Sequence, residues 1–289
     1  MGRTKKGWFE RNEIQRVTLD WVKQNCKFTN REMELLQIIY DRKLVRRDHL
    51  EIISESYRKA GKNRTVLLNR AIKKMYTKMC LDKIHEAQEL GRGNTPCLVA
   101  LDKGGSLLLG VPHKRRISHK VRHSKGGEDY VYRSLPINFR HINGVNKTEV
   151  ETILFCDSLN YQLVQWVHEM KIVFHYAGEK ITLIPDILME LDIKGKKFLA
   201  FIEYDTGSEN YRYSSQFPVI RDKIIKYKKC MLSDTLKKDY NYFPMLLLVT
   251  EDGKRINYFN EKCQEMGIKG FGVFHENYQD FLRHLSTII

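Results

Sequence analysis

Three carboxylates carry the first chemical signal in this sequence. Asp186 follows Pro185 in ITLIPDILMEL, and Glu203 and Asp205 stand in FLAFIEYDTGSE. Glu203 and Asp205 are two positions apart on an expected strand, so their side chains leave the same face. If the strand carrying Asp186 pairs with theirs in a hairpin, all three acids gather at one place. Carboxylates in oxygen-rich surroundings are a magnesium or manganese site by ligand preference. Such an ion activates water and neutralises charge on a scissile phosphate. Asp186, Glu203 and Asp205 are therefore the expected metal ligands and catalytic acids. Lys223 and Lys226, on the helix that follows, are the candidates to stabilise developing phosphate charge.

The second signal is cationic and lies in the other half of the chain. A helix is expected over 64–79, in which Leu68, Ile72, Met75 and Met79 share one narrow face at 100° per residue. Arg70, Lys73, Lys74 and Thr77 fall on the opposite face, with Arg64 at the helix start. An apolar back and a basic front suit insertion into a major groove. Leu81–Gln88 and Pro96–Leu101 read as strands joined by the turn Gly91-Arg92-Gly93-Asn94, whose Arg92 suits a phosphate or minor-groove contact. Residues 112–125, PHKRRISHKVRHSK, are basic without apolar periodicity, and Arg115, Arg116, Lys120 and Arg122 are read as phosphate contacts of a linker. Its histidines fit no metal-ligand spacing.

The elements that must position these residues follow from periodicity and caps. Thr29 and Glu32 form a capping box that opens a helix with Met33, Leu36, Ile39 and Tyr40 at helical spacing. A short helix from about Asp48 carries Leu50 and Ile53. With the helix over 64–79 and the hairpin, this is the order of a winged helix-turn-helix, which the turn Asp102–Gly105 and the run Ser106–Leu109 close. Upstream, Ile14, Val17 and Trp21 with Arg11, Arg16 and Lys23 predict a basic amphipathic helix. In the second half a helix is expected over 141–161, anchored by Val150, Ile153, Leu154 and Leu159. Strands are expected at 163–167, 181–191 and 197–205, the last two joined by the turn Asp192–Lys196. A helix at 220–231, a strand at 245–249, a helix at 254–266, a strand at 270–274 and a helix at 278–285 complete the chain. This α-β-β-β-α-β order with an α-β-α extension predicts a layered α/β or mixed-sheet domain.

Charge separates the two halves. Residues 1–150 hold 32 Lys and Arg against 16 Asp and Glu, whereas 151–289 hold 18 and 19, so the whole excess of +15 lies in the first half. A polyanion, most simply duplex DNA, is the partner such asymmetry suits. At 289 residues and 42% hydrophobic content the chain can bury a proper core and is not a disordered segment. No apolar run is long enough to span a bilayer, and no secretory signal opens the chain, so no membrane partner is expected. The six cysteines form no C-x-x-C pair and read as thiols of a reducing cytoplasm.

Two resemblances sharpen this outline. Acids on the second and third strands of an α-β-β-β-α-β order resemble the PD-(D/E)XK, or restriction-endonuclease-like, nuclease fold. The lysine usual two residues after the glutamate is here Asp205. From about residue 29 onward the chain resembles the replication-relaxation proteins of Gram-positive plasmids and mobile elements. The segments that carry this are LLQIIYDRKLVRRDHL, NRTVLLNRAIKKMY, GRGNTPCLVALDKGG, WVHE, LIPDILMEL, FIEYDTGSEN, KIIKY and PMLLLVT. The resemblance implies a two-domain α+β or α/β protein, with a winged helix-turn-helix over 29–111, a basic linker over 112–140 and a nuclease-like αβββαβ domain over 141–289; residues 1–28 lie outside it and read as a basic helical extension. It implies a role in replication, relaxation or transfer of mobile DNA. Three readings follow: a DNA-binding protein with magnesium- or manganese-dependent nicking or cleavage, a non-catalytic accessory protein that docks a relaxase or replication protein, or a winged-helix transcriptional regulator.

Overall fold

A computed structural model describes residues 17–84, 96–113, 118–121, 130–133, 135–207, 218–233, 235–238 and 240–288. The chain is mixed α and β and forms two compact units, Met1–Asn143 and Gly144–Ile289. Among the described residues no helix is long and apolar enough to cross a membrane.

The first unit opens with α1 (Leu19–Asn25) and α2 (Asn30–Arg42). Thr29 caps α2 through the expected reciprocal box with Glu32. Leu35, Leu36 and Ile39 are its buried apolar face, while Tyr40, expected inside, is exposed. There follow β1 (Val45–Arg46), α3 (Arg47–Ile53), α4 (Glu55–Arg58) and α5 (Arg64–Thr77). Then β2 (Leu81–Ile84) and β3 (Leu98–Leu101) pair antiparallel, with β1 on the far side of β3. The expected hairpin turn at 91–94 lies outside the described residues.

The run Ser106–Leu109 is a correction. It belongs to a helix, α6 (Lys103–Leu109), capped by the Asp102 side chain accepting from Lys103 N at 2.7 Å. The glycines read as a turn let this helix press onto the backbone after α5. A Cβ on Gly105 would sit 2.4 Å from the Cys80 carbonyl oxygen, and one on Gly104 2.7 Å from that of Met79. The basic segment read as a linker also contains regular structure, an antiparallel pair of β4 (Ser118–Val121) and β5 (Tyr130–Arg133).

The second unit is built on a five-stranded sheet and the part of α7 (Phe139–Leu159) from Gly144 onward. Its strands are β6 (Gln162–His168), β9 (Ile187–Ile193), β10 (Lys196–Asp205), β11 (Met245–Thr250) and β12 (Gly270–Phe274), in spatial order β12-β11-β10-β9-β6. A separate hairpin, β7 (Ile172–Tyr176) with β8 (Glu179–Leu183), is inserted after β6. The expected single strand over 181–191 is therefore two strands. Pro185 lacks the N–H a continuing ladder needs, and the chain breaks there. The turn between β9 and β10 holds Lys194 and Gly195 at φ 55° and 81°, the left-handed pair a two-residue hairpin requires.

Crossovers set the rest of the sheet. The helix α8 (Pro218–Leu232) joins β10 to β11, and α9 (Gly253–Glu265) joins β11 to β12, so these three strands run parallel. The closing helix is α10 (Tyr278–Ile288). Side chains alternate along β10. Ala200, Ile202 and Tyr204 join a core with residues of α7 and α10, whereas Leu199 and Phe201 join one with residues of α8 and α9. On α7 the expected anchor Ile153 is buried, whereas Leu154 and Leu159 are exposed and Val145, Phe155 and Cys156 are buried instead.

Candidate functional site

Alternation puts Glu203 next in the series after Leu199 and Phe201, so it points at α8 from within the core. It is only 4% exposed. Both its oxygens are engaged by one helix. Lys223 Nζ donates to Oε2 at 2.8 Å and the Tyr227 hydroxyl to Oε1 at 2.5 Å. Lys223 and Tyr227 are four residues apart on α8 and so share a face. Burial pushes the Glu203 carboxyl up to about 7, and the nearby charge of Asp186 adds to the rise against the pull of Lys223 and Tyr227. The same burial, with the Glu203 charge, drives the Tyr227 phenol well above its ordinary range. The pocket around them is lined by Ile220, Ile224, Leu246, Leu248 and Phe259, with Asp205 also on its wall.

Asp186 is half-buried at the entry to β9. Its Oδ2 accepts from the Tyr204 amide at 2.8 Å, and its carbonyl accepts from Glu169 N at 3.0 Å. The first of these bonds holds its carboxylate beside the segment that carries Glu203. Tyr204 itself faces the other way, its hydroxyl 2.6 Å from His275 Nδ1. Asp205 leaves β10 on the Glu203 side but turns to α9. Its Oδ2 takes Arg255 Nη1 at 2.5 Å, and its Oδ1 takes the Gly207 amide at 3.0 Å. Arg255 is 4% exposed and lies 3.5 Å from Asp252 as well.

Asp186 and Glu203 thus share one electrostatic environment, while Asp205 is engaged by a buried arginine. Among the described residues, no three His, Cys, Asp or Glu side chains are gathered as a metal-binding group. Magnesium is commonly held by one or two carboxylates, the remaining positions going to water and phosphate oxygens. The charge of Asp186 works against ionisation of Glu203, a repulsion that a divalent ion would relieve. Lys226, the alternative to Lys223, is exposed and does not line the pocket.

In the first unit, Leu68, Ile72 and Met75 are the buried back of α5, joined by Ala71 and Tyr76. Arg70, Lys73 and Thr77 are exposed. Lys74 departs from the expected face. It is half-buried, 2.9 Å from Glu32 Oε2, and its ammonium lies 5.1 Å from the Phe28 ring centre. Arg64 turns toward Glu51, with Nε 3.9 Å from Oε1. Arg92, Arg115, Arg116 and Arg122 lie outside the described residues, and of Lys120 only the backbone is described, on β4.

The replication-relaxation family model matches residues 36–246, most of both units. The chain belongs to the replication-relaxation family. No curated protein and no solved structure matches it. Membership suggests a role in replication or relaxation of plasmid or mobile-element DNA.

Two residues of this replication-relaxation protein escape sequence reasoning. Tyr227 carries a signal, since it stands four positions after Lys223 on one helical face. Arg255 carries none, because its partner Asp205 is fifty residues away and reaches it only through the crossover to α9.

Proposed function

We propose that this replication-relaxation protein binds duplex DNA and acts in replication, relaxation or transfer of plasmid or mobile-element DNA. Its first unit is read as a winged helix-turn-helix, with α2, α3 and α5 as the helices and β2–β3 as the base of the wing. The carrying observation is the outer face of α5, where the side chains of Arg70 and Lys73 are exposed and make no hydrogen bond or ion pair among the described residues. The charge excess of the first half favours the same reading. Arg92, Arg115, Arg116, Lys120 and Arg122 are its proposed sequence-independent phosphate contacts.

The test is a salt titration of duplex binding. Replacing Arg70 and Lys73 with Ala should weaken binding and lower the salt slope by about one unit per lost phosphate contact. Lys74→Ala should act mainly on stability, because its ammonium is engaged by Glu32. Unchanged affinity and slope in the folded double variant would refute the placement.

A second activity is favoured by one observation, the approach of Lys223 to Glu203 at 2.8 Å. The second unit is read as a PD-(D/E)XK-like domain in which Lys223, delivered by α8, stands in for the lysine that Asp205 displaces. Asp186 and Glu203 would hold magnesium or manganese, which when bound supplies water activation and charge neutralisation at a phosphodiester. Tyr227 orients Glu203, and Lys223 offers its ammonium to a phosphate oxygen. Nicking or cleavage of supercoiled plasmid with manganese, lost in Asp186→Ala, Glu203→Gln and Lys223→Met, is the expected result. Stabilisation by the metal without cleavage of any DNA form would favour the accessory role, docking a relaxase or replication protein.

A further inference from the structure

The outer face of α5 has a composition that phosphate binding alone does not require. At 100° per residue, Val66, Asn69, Arg70, Lys73 and Thr77 lie within about 60° of one line along the helix, opposite the buried Leu68, Ala71, Ile72 and Met75. Val66 is 49% exposed, an aliphatic side chain set among cations. Asn69 and Arg70 are exposed, and neither side chain makes a hydrogen bond or ion pair among the described residues. Their polar neighbours are committed elsewhere. Thr65 Oγ1 bonds Glu51, Lys74 pairs with Glu32, and Thr77 Oγ1 donates to the Lys74 carbonyl at 2.8 Å.

We infer that Val66, Asn69 and Arg70 read base edges in the major groove, and that Lys73 anchors the helix to phosphate. The inference rests on the reading of the first unit as duplex-binding. The three readers stand in the N-terminal half of α5, the part of a recognition helix that reaches base edges. Each has a matching partner there: guanine O6 and N7 for the Arg70 fork, adenine N6 and N7 for the Asn69 amide, and the thymine methyl for Val66. The occupant is therefore B-form DNA with mixed A·T and G·C pairs. The major groove of A-form RNA is too narrow to admit the helix.

The experiment is selection from a randomised duplex library with the full-length chain, followed by affinity measurements on the selected site. The wild type should select guanine, adenine and thymine at neighbouring positions. Arg70→Ala should lose its guanine preference by about ten-fold, and Asn69→Ala its adenine preference by a similar factor. Replacing the selected thymine with deoxyuridine removes one methyl. It should weaken wild-type binding about three-fold and leave Val66→Ala indifferent. Lys73→Ala should weaken all sequences equally and lower the salt slope by about one. All four side chains are exposed, so circular dichroism should report an unchanged fold. Duplex binding without any sequence preference, or a preference unchanged in Arg70→Ala and Asn69→Ala, overturns the base-reading assignment and leaves duplex binding standing. Absence of duplex binding at low salt, or a preference for RNA, overturns the reading beneath it as well.

Discussion

Glu203→Gln isolates the cost of burying a carboxylate under α8. The amide keeps the shape and can still accept from Lys223 and bond Tyr227, so only the charge is removed. In the folded chain the Glu203 carboxyl holds its proton up to about pH 7, against an ordinary value of 4.5. A raised folded value favours the folded state fully below pH 4.5, and that advantage is lost as pH rises through 7. The gap corresponds to about 3 kcal/mol. Without divalent ions, the variant should therefore gain on the wild type by roughly this amount between pH 5 and pH 8, on the order of 6–10 °C in Tm. Thermal melts of both proteins across that range, subtracted from one another, remove the titrations they share. Manganese at pH 8 should then raise the wild-type Tm and leave the variant unmoved, since an ion that binds only the folded state stabilises it by mass action. Parallel pH profiles for the two proteins would refute the reasoning, for they would mean Glu203 ionises as freely folded as unfolded.

Tyr227→Phe removes the hydroxyl donor to Glu203 Oε1 and should cost about 1–3 kcal/mol, more at pH 8 than at pH 5, because the lost bond favours the charged form. Urea melts at the two pH values check this, and an equal loss at both would count against it. Arg255→Met leaves Asp205 half of a buried pair and should cost about 3–5 kcal/mol, much of it recovered by adding Asp205→Asn. A double-variant cycle measures the coupling, and strict additivity would deny it. Gly105→Ala forces a Cβ against the Cys80 carbonyl and should lower stability by about 1–3 kcal/mol, where an unchanged melt would show that α6 can back away.

Local rules carried much of this protein. The capping box at Thr29 and Glu32, the apolar stripe of α5, the turn before Lys196 and the strands at 197–205, 245–249 and 270–274 are decided by neighbours within a few residues. Periodicity and turn chemistry act over that range, so the sequence expresses them directly. It also put Glu203 and Asp205 on one strand face and named Lys223. What it could not express is which cation each acid would meet. Lys223 and Tyr227 lie twenty and twenty-four residues from Glu203, and Arg255 lies fifty from Asp205. Their pairing depends on how α8 and α9 settle against β10 after two crossovers. The same holds for Lys74, whose place on the helix wheel reads as outward-facing until α2 brings Glu32 beside it. A side chain's charge is local information, but its partner is chosen by packing. Buried charges must be paired, so the tertiary fold decided which acids and cations of this chain remain free to act.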